Sequence, residues 1–207
     1  MDPERIAVLL HLYNEMLQKH FGVRDEATLL WRNTLAEAVL QFLPSPPLRV
    51  IHLGCGRGEL LFLLASMAMA DNLATTERTS RGELFYGVCS SEGGLAEAKG
   101  YAGWQEIPAV FDRGTPGLPG QAFNLVITSD LGELAPRERW DEWLTESARL
   151  TTFQGHYLLF NIEQVDGDCL KMDHVLPHLL SKGVGVSWTR GIEPYGRYNL
   201  YVGVKRS

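Results

Sequence analysis

The sequence predicts an α/β protein with a doubly wound, mostly parallel, seven-stranded sheet, an antiparallel strand in a C-terminal hairpin, and two N-terminal helices. From residue 48 onward, apolar segments of strand length alternate with segments of helical periodicity, which is typical of a parallel sheet covered on both faces. A glycine-rich turn follows the first apolar segment, and the turn Glu193-Pro-Tyr-Gly196 separates the last two. Because this turn is too short for a crossover, the last two strands must form a hairpin.

Two helices are predicted before the sheet, over residues 4–20 and 26–43, because apolar residues recur there at helical spacing. Asp2 is placed to cap the first helix, with Pro3 at its first position. The prolines of Pro44-Ser-Pro-Pro47 end the second helix. We expect one domain over residues 1–207, in which residues 1–47 form a lid over the substrate side of the core at 48–207.

The remaining elements follow from the same alternation of patterns. The predicted strands are 48–53, 84–89, 107–111, 122–128, 157–162, 184–192 and 197–205. The predicted helices are 58–70, 92–101, 137–150 and 168–182, the third with Trp140, Trp143, Leu144 and Ala148 on one face. Residues 71–81 and 113–120 are predicted as loops, the second where a crossover helix would otherwise lie.

Composition and charge limit the classes of partner. The chain has 207 residues, of which 45% are hydrophobic and 21% charged, and its formal net charge is -6. This acidic balance argues against a nucleic-acid partner, and the apolar segments are too short for a membrane span. The start of the chain lacks the features of a signal peptide. Three widely spaced cysteines, Cys55, Cys89 and Cys169, favour reduced thiols in a cytoplasmic protein.

The glycine turn Gly54-x-Gly56-x-Gly58 lies where open parallel sheets bind their ligands. A dinucleotide fingerprint would have its third glycine one position later, where this chain has Glu59, and that acid would repel a pyrophosphate. A phosphate-binding P-loop would need a lysine followed by serine or threonine. A cofactor of nucleoside type without phosphates, such as S-adenosylmethionine, fits the turn better, and a tight turn that binds nothing is the alternative.

The chain resembles the class I S-adenosylmethionine-dependent methyltransferases over residues 48–206. The segment Val50-Ile-His-Leu-Gly-Cys-Gly-Arg-Gly58 resembles the first motif of that family. Later segments follow in the family's order: 85–91 as the second strand, Asp112 eleven residues before Phe123 as the adenine-contacting acid, 123–134 as the fourth strand, 149–159 as a helix end, glycine turn and fifth strand, and 201–206 as the end of the hairpin.

The resemblance implies S-adenosylmethionine as cofactor and a role for each matching residue. Gly54, Cys55 and Gly56 would lie against its methionine part, Cys89 and Ser90 beside the ribose, and Asp112 and Arg113 beside the adenine. The full implied cofactor set is His52, Gly54, Cys55, Gly56, Gly58, Cys89, Ser90, Asp112, Arg113, Ser129, Asp130 and Leu131. His52 and Cys89 stand where the family often has acids. Glu92 is long enough to reach the ribose in place of Cys89.

Asp130 and Glu133 are the candidates for a general base, since both follow the fourth strand. The structural alternatives are a helix-capping aspartate and a solvated glutamate. Glu163, after the fifth strand, and Tyr13 and Trp31, on the prefix helices, are candidates for substrate contact, although such aromatic residues are more often core. No metal site is predicted, because His174 and His178 have no third ligand and are expected to be a surface pair.

The predicted function is methyl transfer from S-adenosylmethionine to a small-molecule acceptor by in-line displacement. Two alternatives remain open. The first is a binding or scaffold protein that keeps the fold without the chemistry, which His52 and Cys89 favour. The second is a nucleotide-dependent oxidoreductase, which Glu59 and the absence of an acid at position 89 disfavour.

Overall fold

The computed structural model describes residues 1–74, 83–115, 117–129, 134–135, 137–162, 172–192 and 198–206. The chain forms two compact units, Met1–Leu43 and Pro44–Ser207, and each is described on its own.

The first unit is a pair of packed helices, α1 (Pro3–Lys19) and α2 (Glu26–Gln41). The predicted cap of α1 is confirmed, since the Asp2 carboxylate accepts an amide hydrogen of the first turn at 2.9 Å. A side-chain bond from Asn33 Nδ2 to Asn14 Oδ1, 2.7 Å long, joins the two helices.

The second unit holds the predicted sheet. Its strands are β1 (Arg49–Leu53), β2 (Leu84–Val88), β3 (Ala109–Asp112), β4 (Phe123–Ser129), β5 (Thr151–Ile162), β6 (Val184–Ile192) and β7 (Tyr198–Lys205). Its helices in the described part of the chain are α3 (Glu59–Ala74), α4 (Glu92–Trp104), α5 (Trp140–Leu150) and α6 (Met172–Ser181), with a 3₁₀ turn at Arg137–Arg139 before α5.

The sheet topology confirms the predicted fold class. The seven strands are ordered β3-β2-β1-β4-β5-β7-β6. β7 runs antiparallel to both neighbours, β5 and β6, whereas β1 to β5 pair in parallel. The chain therefore forms a doubly wound α/β sheet with its one antiparallel strand in the C-terminal hairpin, as the sequence predicts.

The helix after the glycine turn is longer than predicted. α3 continues to Ala74 rather than ending at residue 70, so the predicted loop at 71–81 is wrong for residues 71–74. These four residues contain neither proline nor glycine, so no residue type ends the helix there. Residues 75–82 lie outside the described part. The loop between β3 and β4 contains no helix in its described residues, 113–115 and 117–122.

β5 begins six residues earlier than predicted, directly after α5. Thr151 pairs with Phe123 of β4, and the next aligned pair is Leu125 with His156. The intervening residues of β5 bulge away from β4, with Gln154 at a φ of +59°. The glycine-containing pattern of residues 152–155 is typical of a turn, and it is the pairing of Thr151 with Phe123 ahead of them that starts the strand earlier.

The core lies between the sheet and the helices on its faces. The predicted apolar face of α5 is confirmed, because Trp140, Leu144 and Ala148 are buried against the sheet and Trp143 packs partly buried beside them. No helix within the described ranges is long and apolar enough to cross a bilayer.

Candidate functional site

The strand order reverses at β1, where the polar ends of several strands meet. The chain adds β2 and β3 on one side of β1, then β4 and β5 on the other. Ligands of open α/β sheets bind beyond the carboxyl ends of the strands at such a point. Here β1 continues into the glycine turn, β2 is followed by Cys89, and β4 ends at Ser129.

The glycine turn depends on a backbone conformation that only glycine adopts at low cost. φ is +79° at Gly54, +57° at Gly56 and +87° at Gly58, a region that costs other residues roughly 1–2 kcal/mol. A Cβ on Gly54 would collide with the carbonyl oxygen of Ser129, and one on Gly58 would lie 2.7 Å from the ring of Phe111. The packing of the fold therefore requires glycine at these two positions.

Gly56 differs from Gly54 and Gly58 because an added Cβ would meet no steric clash there with the residues that the structure describes. Among the described residues, the only atom within 4 Å of a Cβ built there is Oε2 of Glu59, at 3.6 Å. Within the described part of the chain, the turn thus presents bare, left-handed backbone at Gly56 to open space at the switch point of the sheet. This is the feature that close approach of a ligand to main chain requires.

A buried carboxylate lies beside this open volume. Glu59 begins α3 and is only 1% exposed, and its Oε1 is 3.3 Å from Nε of Arg57. Nη1 of Arg57 is in turn 3.3 Å from Glu97 on α4, so the arginine ties the turn to both helices. A carboxylate at this helix start disfavours a phosphate group and suits a cationic amine.

A chain of hydrogen bonds joins the ends of β1 and β4. The Ser129 hydroxyl donates to the carbonyl oxygen of Gly54 at 2.9 Å and lies 2.8 Å from Nε2 of His52. Since a hydroxyl has one hydrogen, Ser129 must accept from His52, which places a hydrogen on Nε2. His52 and Ser129 are both buried. Through Ser129, the histidine therefore helps to hold the backbone of Gly54 in place.

Two thiols meet at the ends of β1 and β2. Sγ of Cys55 lies 3.3 Å from Sγ of Cys89, and both cysteines are free and buried. The hydrogen bond to Cys89 and burial raise the pKa of Cys55 well above its ordinary value. The same bond lowers the pKa of Cys89; burial opposes this effect, and the positive charge of Arg113 adds to it.

The ends of β2 and β3 are tied together at Asp112. Its carbonyl oxygen accepts the amide hydrogen of Cys89 at 2.9 Å. Its carboxylate accepts from the amide of Arg113 at 2.7 Å and from the hydroxyl of Tyr86 at 3.3 Å. Burial and this acid raise the pKa of Tyr86. Asp112 and Arg113, the residues predicted to lie beside the adenine, are both exposed and lie at one edge of the site.

The start of α4 closes another side of the glycine turn. Ser91 caps α4 by accepting the amide hydrogen of Gly94 at 3.0 Å. A Cβ on Gly94 would lie 2.9 Å from the carbonyl oxygen of Gly56, so this glycine is needed for close approach of the helix to the turn. Glu92, the alternative ribose ligand, is exposed in the first turn of α4.

The structure brings most of the predicted cofactor residues together. Around the carboxyl ends of β1 to β4 lie His52, Gly54, Cys55, Gly56, Gly58, Cys89, Ser90, Asp112, Arg113 and Ser129. The predicted residues outside the described part of the chain are Asp130, Leu131, Glu133 and Glu163. From the sequence, Glu59 serves only as an argument against a bound pyrophosphate. The positions of Glu59 and Gly94 beside the glycine turn are not predicted.

Tyr13 and Trp31, the other predicted substrate contacts, belong to the first unit. Tyr13 is buried, and the ring centroid of Trp31 is 5.0 Å from the guanidinium carbon of Arg32. Their roles, like the lid role of residues 1–47, stay predictions.

The expected surface pair of His174 and His178 stays a prediction, because the side chain of His174 lies outside the described part of the chain; His178 itself is partly exposed and contacts α5. Its Nε2 is 3.0 Å from Oγ1 of Thr145, and its Nδ1 is 3.6 Å from Oδ1 of Asp141. The histidine faces α5 and is half-buried, so it joins two helices. The described residues hold no cluster of three histidines, cysteines or acids that suits a metal ion.

Comparison with known proteins identifies the fold. No family model and no curated protein matches the chain, but solved structures do. Magnesium protoporphyrin IX methyltransferase from Synechocystis PCC 6803, crystallised with S-adenosylmethionine, matches with a TM-score of 0.68 at 18% identity, over 96% of this chain and 97% of that one.

Two further solved structures match over most of the chain. Geranyl diphosphate C-methyltransferase from Streptomyces coelicolor A3(2), in complex with Mg²⁺, geranyl diphosphate and S-adenosylhomocysteine, matches with a TM-score of 0.57 at 14% identity, over 84% of this chain and 79% of that one. The cyclase SpnF matches with a TM-score of 0.64 at 14% identity, over 84% and 80% of the two chains. The chain therefore has the fold of class I methyltransferases.

Proposed function

We propose that this protein, built on the class I methyltransferase fold, transfers a methyl group from S-adenosylmethionine to a small-molecule acceptor. The observation that carries the proposal is the bare backbone at Gly56, which faces an open volume at the switch point. A side chain there would fill the place where an adenosyl cofactor approaches the main chain in this fold.

The chemistry around Gly56 fits the charge of this cofactor better than that of a dinucleotide. The methionine part carries an ammonium group, and the buried carboxylate of Glu59 lies beside the turn. The same carboxylate would repel a pyrophosphate at the start of α3. This supports a cofactor without phosphates and counts against the oxidoreductase alternative.

The residues at the strand ends would hold the rest of the cofactor. Gly54, Cys55 and Gly56 would contact its methionine part, Ser90 and Cys89 its ribose, and Asp112 and Arg113 its adenine. The exposed carboxylate of Asp112 has fixed orientation, because a tyrosine hydroxyl and a backbone amide both donate to it. His52 and Ser129 would act by holding Gly54 in place.

The bound cofactor supplies an electrophilic methyl carbon on a sulfonium. The protein has to hold the acceptor atom in line with that carbon and to exclude water, and orientation of this kind lowers a barrier by several kcal/mol. Asp130 and Glu133 are proposed to accept a proton from an acceptor that needs deprotonation. The acceptor is proposed to be a small molecule, because the net charge of -6 disfavours nucleic acid.

One observation favours a second candidate, a binding protein that keeps the fold but not the chemistry. The end of β2 has Cys89 in place of an acid, and this thiol is buried against Cys55. A thiol is a weak acceptor for ribose hydroxyls. Loss of a charged acceptor costs roughly 1.5–3 kcal/mol of binding free energy.

The experiment that tests the proposal measures ligand response and turnover on the same preparation. Thermal unfolding is followed with S-adenosylmethionine, S-adenosylhomocysteine and NAD at millimolar concentration, and we expect the first two alone to raise the midpoint. The protein is then incubated with S-adenosylmethionine and pooled small metabolites, and formation of S-adenosylhomocysteine is measured. Stabilisation without turnover would favour the binding protein, and stabilisation by NAD alone would refute both.

A further inference from the structure

Two buried thiols in contact occupy the middle of the candidate cofactor site. Cys55 lies in the glycine turn and Cys89 at the end of β2, 34 residues further along the chain, and their sulfurs are 3.3 Å apart. Methyl transfer as proposed above assigns no bond making or breaking to either sulfur. A disulfide bond is about 2.05 Å long, so the two sulfurs need to approach by only a little over 1 Å.

The backbone on both sides holds the thiols against each other. The amide hydrogens of Gly54 and Cys55 both bond to the carbonyl oxygen of Val88, at 3.0 Å, and the amide of Cys89 bonds to the strand beyond. Gly87 makes room for the sulfur, because a Cβ there would lie 2.9 Å from Sγ of Cys55. The contact is therefore part of the packing between β1 and β2.

The two thiols are chemically unequal in a way that suits disulfide formation. The hydrogen bond between the two thiols lowers the pKa of Cys89, and the charges of Arg113 and Lys99 lower it further, against the effects of burial and of the Glu59 carboxylate. The pKa of Cys55 is raised. Cys89 is thus the better nucleophile of the two, and the sulfur of Cys55 lies 3.3 Å from it, where it can attack a first oxidation product and pass its proton to the departing oxygen.

We propose that Cys55 and Cys89 form a redox-active dithiol that hydrogen peroxide converts to a disulfide. The sulfur of Cys89 attacks one peroxide oxygen, the O–O bond breaks, and a sulfenic acid and one water are formed. The sulfur of Cys55 then attacks the sulfenic sulfur, the S–O bond breaks, and a second water leaves as the S–S bond forms. Two thiols and one peroxide therefore give one disulfide and two waters.

The bond would change the cofactor site, a consequence that rests on the proposed function. Cys55 is the residue before Gly56 in the glycine turn, so drawing its sulfur towards Cys89 is expected to shift the turn at residues 55–57. That segment includes Gly56, where the cofactor is proposed to meet bare backbone. The oxidised protein is therefore expected to bind S-adenosylmethionine at least tenfold more weakly than the reduced protein.

The first arm of the experiment tests the bond itself. The full chain is reduced, freed of reductant, treated with a small excess of hydrogen peroxide and digested without reduction for mass spectrometry. We expect a peptide pair linked through Cys55 and Cys89 that a dithiol reductant separates, and the same pair in the control Cys169→Ser. Sulfinic acid on one cysteine without a link, a link to Cys169, or thiols that stay reduced while the unfolded chain is oxidised would overturn the proposal.

The second arm separates this proposal from the proposed function. Titration of S-adenosylmethionine into reduced and oxidised Cys169→Ser protein should give a dissociation constant at least tenfold higher after oxidation, restored by reductant. If both forms bind equally, the bond does not control the site and the inference on binding fails. If neither form binds while the linked peptide forms, the proposed function fails and the dithiol stands.

Discussion

Replacing Gly56 by alanine separates what the fold needs from what the proposed cofactor needs. Gly56 has a φ of +57°, so alanine costs roughly 1–2 kcal/mol of folding free energy. Among the described residues, the new methyl group meets only the Glu59 carboxylate, at 3.6 Å. Gly117→Ala is the matched control, because Gly117 has a φ of +77° and a Cβ there has nothing within 4 Å.

The cost to ligand binding is expected in addition to this strain. An added methyl group in a well-packed volume costs about 1–3 kcal/mol, and the middle of this range corresponds to about a thirtyfold weaker affinity. S-adenosylhomocysteine at a hundred times its dissociation constant stabilises the wild type by about 2.7 kcal/mol. At thirtyfold weaker affinity, the same concentration stabilises Gly56→Ala by only about 0.9 kcal/mol.

The assay is denaturant unfolding of the wild type, Gly56→Ala and Gly117→Ala, with and without S-adenosylhomocysteine. Without ligand, both variants should lose a similar free energy of unfolding, and with ligand only Gly117→Ala should recover the full increment. If Gly56→Ala keeps the full increment, the cofactor does not lie over Gly56. If it is far less stable than Gly117→Ala without ligand, protein atoms fill the volume and the reasoning fails.

Two further predictions concern stability. The hydrogen bond from Arg149 lowers the pKa of the Glu146 carboxyl below its ordinary 4.5, so its contribution is present above pH 4.5 and is lost as the pH falls through the lower folded value. Glu146→Gln should therefore cost about 1 kcal/mol at pH 7 in urea unfolding, discounted for exposure, and an equal gap at pH 3 would contradict this. Ser129→Ala removes the hydrogen bonds of the Ser129 hydroxyl to Gly54 and His52. Each of these two buried groups then lacks that partner, which should lower the free energy of unfolding by about 1–3 kcal/mol per group in urea unfolding. A total loss under about 0.5 kcal/mol would show that Ser129 and His52 do not hold the turn.

The fold could be predicted because its signals are local. The parallel strands β1 and β4 each contain a short buried apolar run, Val50-Ile51 and Leu125-Val-Ile127, and the helices between the strands show their own period. The early start of β5 could not be predicted, because residues 151–155 carry no strand pattern of their own and only the pairing of Thr151 with Phe123 of β4 starts the strand there. Local pattern failed where tertiary pairing decided the structure.

The site divides in the same way. The glycine spacing predicts a bare turn, and in the structure this turn lies at the switch point of the sheet. The contact of Cys55 with Cys89 and the close approach of Gly94 to the turn depend on how β1, β2 and α4 pack. The sequence places both thiols at neighbouring strand ends but does not give the direction of either side chain. The sequence shows that Glu59 follows the last glycine of the turn, but only the structure shows that its carboxylate is buried beside the turn.

Titration calorimetry of the reduced full chain with S-adenosylmethionine and S-adenosylhomocysteine shows whether the glycine turn binds an adenosyl cofactor. We expect saturable binding of both compounds at one site per chain, with no heat from NAD at the same concentration. Flat titrations for both adenosyl compounds, with protein that unfolds cooperatively, would contradict the claim that the glycine turn holds this cofactor.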